Sequence, residues 1–86
     1  MTFKWIITMK KQLLELLSRT TGLPASSISA ESHLMKDLGF DSLDTIDLVL
    51  QMEDHFHVAI PDEDYDKLQT VQQIENYLSA KQLASA

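Results

Sequence analysis

Eighty-six residues limit the chain to one small domain with a modest core. The absence of cysteine excludes a disulfide framework, a thiolate zinc site and a cysteine nucleophile, while 44% hydrophobic and 23% charged residues exclude a disordered chain. Thirteen acidic residues against seven basic ones give a net charge of −6, which disfavours binding to phosphate backbones and so to nucleic acid.

Only two glycines and two prolines punctuate the chain, which favours helices over a turn-rich β fold. The opening residues Met1–Thr8 carry a short apolar piece, Trp5-Ile6-Ile7, without the long apolar stretch and cleavage site of a secretory signal. Met9-Lys10-Lys11 has the form of a start, so residues 1–8 are set apart as an N-terminal extension able to join the first helix. No stretch is apolar enough to span a bilayer. With no cysteine either, the expectation is a cytoplasmic protein without membrane insertion.

The first helix is predicted from Phe3 or Met9 to Arg19, where Leu13, Leu14, Leu16 and Leu17 are strong helix formers. Gly22 and Pro24 supply the stop. Residues 22–41 then read as a long loop, with Ile28, Leu34, Met35, Leu38 and Phe40 as candidate tethers to the core. The second helix is predicted from Ser42 to His55 or Phe56, with Asp41 or Ser42 as its cap and Asp44 suited to its positive end. Asp62-Glu63-Asp64 after Pro61 starts a short third helix over 62–67. Thr70-Val71-Gln72-Gln73 forms a capping box, and Val71, Ile74, Tyr77 and Leu78 carry a fourth helix to about Lys81. The fold class is all-α: a small four-helix bundle with one short helix and a long loop between the first and second helices. The organising unit is residues 9–80, with 81–86 as a tail.

The second helix carries two apolar sectors. Thr45, Leu48, Val49, Met52 and Phe56 fall together as a core face, and Leu43, Ile46 and Leu50 lie roughly 120° away. The second group either packs on the loop or third helix, or forms an exposed patch that docks a partner. Its surroundings are acidic: Asp37, Asp41, Asp44, Asp47, Glu53, Asp54, Asp62, Glu63, Asp64 and Asp66 lie in a span without lysine or arginine. That segment is built to meet a basic surface, where apolar contact supplies affinity and the acidic rim supplies orientation and speed.

Ser42 follows Gly39-Phe40-Asp41 at the start of this helix. A serine there is ordinarily a cap. A phosphate esterified to its hydroxyl would also sit well at the helix's positive end. The chain has no Gly-x-Ser-x-Gly element and no companion base that would make Ser42 a hydrolase nucleophile, so no catalytic residue is assigned.

The run Asp37-Leu38-Gly39-Phe40-Asp41-Ser42-Leu43-Asp44-Thr45-Ile46-Asp47-Leu48-Val49 resembles the phosphopantetheine attachment segment of acyl carrier proteins. The likeness continues through Glu53, Phe56, Ile60-Pro61-Asp62-Glu63 and Lys67-Leu68-Gln69-Thr70-Val71, covering the chain from Met9 to about Leu78. The resemblance implies a carrier, not an enzyme. Ser42 would receive 4'-phosphopantetheine from coenzyme A through a phosphopantetheinyl transferase, and the arm's thiol would hold acyl groups as thioesters for fatty-acid or polyketide synthesis. Asp41, Leu43, Asp44, Ile46, Asp47, Leu50, Glu53 and Asp54 match the family's partner-recognition helix, where basic patches on synthases, reductases and transferases would dock onto a monomer. Leu48, Met52, Phe56, Ile60 and Ile74 would line the space that shelters an acyl chain.

Some residues depart from the family pattern. Phe40 is bulkier than the alanine common there; its ring either lies beside the arm or packs the loop. His55 and His57 replace more acidic residues, a change that brings titration near neutrality rather than a metal site. His33 in the loop reads as structural or solvated, and the Trp5-bearing extension as added helix or a contact with a neighbour. Three other readings compete: an aminoacyl or peptidyl-type carrier, a non-carrying structural adaptor of the same fold, and an unrelated acidic bundle with Ser42 as a cap.

Overall fold

The computed structural model describes residues 2–85, with side chains described for residues 9–81. Its described elements are the helices α1 (Thr2–Thr21), α2 (Ser42–Phe56) and α3 (Val71–Ser85), with 3-10 segments at Ala25–Ser27 and Asp62–Lys67. The fold is all-α, as expected. The packing of the Trp5 side chain lies outside the described residues.

α1 continues two residues beyond the expected Arg19, and its last two threonines bond back: Thr20 Oγ1 donates to Leu16 O and Thr21 Oγ1 to Leu17 O. Gly22, at φ 77°, ends it in the left-handed conformation that glycine adopts without a Cβ penalty. Met9, Leu13, Leu16 and Leu17 form its buried face.

The long loop between α1 and α2 is ordered by three buried anchors and by backbone bonds to a distant segment. Ile28, Leu34 and Phe40 are in the core, and Leu38 is half-buried against it. Met35 is 55% exposed, so it is not the tether the sequence suggested. Phe40 packs the loop instead of lying beside Ser42 on the surface: its ring is buried and its N–H donates to Leu34 O. Across the molecule, Leu34 N donates to Gln69 O, Val71 N to Ser32 O and Gln72 N to Ala30 O, and His33 forms an antiparallel bridge with Thr70. His33 is structural: Met35 N and Lys36 N donate to its Nδ1, and its own N–H donates to Asp37 Oδ2.

α2 runs over the expected residues and ends at His57, which adopts φ 56°. The polypeptide then turns through Ile60 and Pro61, and Glu53 Oε2 accepts the Ile60 N–H at 2.8 Å. The short third helix is a 3-10 segment, Asp62–Lys67. Pro61 brings no N–H and opens it in extended backbone, and the segment's six residues make it longer than most 3-10 runs. Thr70 caps α3 as the sequence indicated: Gln73 N donates to Thr70 Oγ1, and Thr70 N donates to Gln73 Oε1. α3 continues past Lys81 to Ser85 and buries Val71, Ile74 and Leu78.

Candidate functional site

The site grows from the first turn of α2. Gly39, at φ 74°, turns the chain, and the buried Phe40 pins the residue before the cap. Asp41 is the cap: its Oδ1 accepts from Asp44 N at 2.8 Å, and Asp44 Oδ2 accepts from Asp41 N at 3.2 Å. This reciprocal box leaves Ser42 as the first helical residue, not the cap, and its side chain is exposed. The choice between Asp41 and Ser42 is thus decided, and the serine hydroxyl is free for another use. The positive end of α2 and the unsatisfied N–H groups of its first turn favour negative charge beside it.

Next to Ser42 lies a pocket of about 390 Å³ lined by His33, Leu34, Met35, Ser42, Thr45, Ile46, Tyr65, Asp66, Leu68 and Gln69. Leu34, Met35, Ile46, Tyr65 and Leu68 supply its apolar walls. Its size falls within the range of small-molecule sites, roughly 300–1,000 Å³. The loop, the start of α2 and the 3-10 segment each contribute a wall. Thr45 and Ile46, from the two sectors of α2, both face this space.

The two apolar sectors part company in the fold. Leu48, Val49, Met52 and Phe56 are buried. Leu43 is 74%, Leu50 57% and Ile46 43% exposed, so this second group lies largely at the surface, with Ile46 also facing the pocket between the loop and the 3-10 segment. Asp41, Asp44, Asp47 and Asp54 are exposed around it. Asp47 also accepts from Gln51 Nε2 at 2.8 Å. Glu53 differs: it is half-buried, with Oε2 committed to the Ile60 N–H.

The residues expected to shelter an acyl chain, Leu48, Met52, Phe56, Ile60 and Ile74, all sit in the closed core. None of them lines the pocket beside Ser42. The pocket's walls were not singled out from the sequence. Leu34 and Met35 carry apolar side chains late in the loop, and Tyr65 and Leu68 lie three apart across the 3-10 segment. That spacing was the available signal, but it says nothing without the loop's position.

The 3-10 wall is tied to α3. Tyr77 Oη donates to Asp64 Oδ2 at 2.6 Å, and Lys67 Nζ lies 3.2 Å from Asp64 Oδ1. The Tyr77 hydroxyl, and then Lys67, hold the Asp64 carboxyl below its ordinary range. Burial, with Asp64 beside it, pushes the Tyr77 phenol well above its own. Burial and Asp62 raise Tyr65 in the same sense. His55 and His57 are exposed, and no group of three or more metal-ligating side chains occurs among the described residues. Within the same residues, no helix is long and apolar enough to cross a membrane.

A family model described as the phosphopantetheine attachment site matches residues 11–78. An acyl carrier protein of Chlorobium phaeobacteroides is 40% identical over 72 residues, covering 84% of this chain and 92% of its own. One from Bdellovibrio bacteriovorus is 42% identical over 67 residues, covering 78% of this chain and 86% of its own. A third, from Chlorobium phaeovibrioides, is 40% identical over 72 residues with the same coverage as the first. With a matching attachment domain and these relatives along most of its length, the chain belongs to the acyl carrier proteins, which hold acyl groups as thioesters on 4'-phosphopantetheine.

Proposed function

We propose that Ser42 is the attachment residue and that residues 9–80 form the carrier unit. The observation that carries this reading is the Asp41–Asp44 box, which releases an exposed serine hydroxyl at the first helical position, beside an apolar pocket. A phosphodiester fits there chemically. Its negative charge meets the positive end of α2, and Thr45, Ile46 and Met35 offer a mixed wall along which an amide-bearing arm can lie. In the loading reaction Ser42 Oγ forms a bond to phosphorus, the pyrophosphate bond of coenzyme A breaks, adenosine bisphosphate leaves and the serine proton passes to the transferase. When bound, the arm supplies the thiol that carries acyl groups. The remaining work belongs to the chain: Ser42 fixes the point of attachment, α2 directs it, and the protein visits its partners as a monomer without catalysing their reactions.

Leu43, Ile46 and Leu50 form the docking patch, rimmed by Asp41, Asp44, Asp47 and Asp54. Partners with basic patches — transferase, synthases and reductases of fatty-acid or polyketide synthesis in the cytoplasm — are the complementary surfaces. Glu53 belongs to the rim by sequence, but its committed oxygen makes it chiefly a support for the turn after α2. Leu48, Met52, Phe56, Ile60 and Ile74 line any deeper acyl space, reached from the pocket beside Ser42.

The test is intact mass after incubation with coenzyme A and a broad-specificity phosphopantetheinyl transferase. A single addition is expected, absent in Ser42→Ala. No addition under conditions that modify a control carrier would favour the non-carrying adaptor.

A further inference from the structure

Three residues are shared between the wall of the pocket and the core. Leu34 and Leu68 line the pocket and are also core residues, 1% and 3% exposed. Leu34 is tied across the molecule by its N–H to Gln69 O, whereas the Leu68 N–H donates to Tyr65 O at the end of the 3-10 segment itself. Tyr65 also lines the pocket and packs on the core cluster, but it is only half-buried. It stands on the 3-10 segment, whose attachment to α3 includes the Tyr77–Asp64 hydrogen bond. Such short segments have poorer internal hydrogen-bond geometry than an α-helix and need outside support. Leu48, Met52 and Ile74 belong to the same core cluster, each at most 1% exposed.

We propose that Tyr65 is the specificity-determining residue for acyl-chain length, a gate between the pocket beside Ser42 and the core, and that the Tyr77–Asp64 clasp is the positioning device that holds it shut. Short acyl chains fill the pocket and stop at the Tyr65 ring. Longer chains pass it only when the 3-10 segment swings away from α3. The aliphatic chain gains by each methylene it removes from water, so the position of the ring decides where that gain ends. Asp64 orients the gate through Tyr77 and touches no cargo. This inference rests on Ser42 as the point of attachment, and its test is arranged so that the two can fail separately.

Wild type, Tyr65→Ala and Tyr77→Phe are loaded with a series of acyl-pantetheine arms from butyryl to tetradecanoyl, and intact mass records loading. The rate of thioester cleavage by hydroxylamine is then followed against chain length. For wild type, protection rises with length and levels off. In Tyr65→Ala it continues to rise, and two further sheltered methylenes correspond to about tenfold slower cleavage. Tyr77→Phe, which keeps the ring packed and loses only the hydroxyl, falls between them; should Tyr65→Ala fail to fold by circular dichroism, this variant carries the test. Identical length dependence in wild type and variants overturns the gate. An independent arm needs no loading: in unmodified protein, the Leu68 amide exchanges with deuterium about tenfold faster in Tyr77→Phe, because its acceptor belongs to the loosened segment. Unchanged exchange at Leu68 overturns the clasp, while failure to load wild type speaks against Ser42 and leaves this arm standing.

Discussion

The two apolar sectors of α2 are made of the same kinds of side chain and have opposite fates. Leu48, Val49 and Met52 are at most 1% exposed, whereas Leu43 and Leu50 lie mostly in water. One helix therefore buries one apolar sector in the core and leaves the other largely in water. Exposed leucine by itself carries little information, since every protein surface is partly apolar. An apolar stripe ringed by Asp41, Asp44, Asp47 and Asp54, beside an exposed serine, is the arrangement on which the proposed docking role rests.

Four experiments sharpen this contrast. Leu48→Ala should lower unfolding free energy by about 2–5 kcal/mol in urea titration, the usual loss for a buried leucine. A loss well below that range would mean the core face is loosely packed. Asp47→Lys with Asp54→Lys should slow productive encounter with a transferase about tenfold at low salt and leave helical circular dichroism intact. The difference should shrink as salt is added, and an unchanged rate at low salt would remove the acidic rim from the account. Glu53→Lys is a poor substitute, because it also strips the acceptor from the Ile60 N–H. His57→Gly should stabilise the protein by about 1 kcal/mol, since φ 56° strains any residue with a Cβ. Leu50→Ala should change stability by no more than about 0.5 kcal/mol while weakening partner docking, the reverse of Leu48→Ala.

The clasp adds a pH dependence with a defined window. Asp64 is held below its ordinary value of 3.8, so its contribution is present above that value and is lost as pH falls through the lowered one. Tyr77 is raised above its ordinary 10.0, so its contribution is present below that value and is lost as pH rises through the raised one. The stability difference between wild type and Tyr77→Phe should therefore be flat between roughly pH 5 and 9 and shrink on both sides. A difference that does not vary at either extreme would show that the hydrogen bond contributes nothing.

The helices and the Ser42 environment were legible in the sequence because their signals are local. Thr70 and Gln73 are three apart and formed the expected capping box, while Asp41 and Asp44, read only as a possible cap and a first-turn charge, formed another. The loop was not legible, because its order comes from bonds such as Leu34 N to Gln69 O that join distant segments. Met35 illustrates the cost: apolar residues in a loop all look like anchors until the fold decides which face inward. The Asp62–Lys67 segment was placed correctly, but its tie to α3 through Tyr77 and Asp64 spans thirteen residues and leaves no local signal. Pocket walls drawn from three separate elements leave no periodic trace. The apolar residues expected to shelter cargo are all buried, and none of them lines the pocket beside Ser42.

The most direct test of the central claim is to map the modified peptide. After incubation with coenzyme A and transferase, tandem mass spectrometry of the digest should place the whole addition on the hydroxyl of Ser42. An addition on another serine, such as Ser26 or Ser27 in the exposed 3-10 turn, would contradict it.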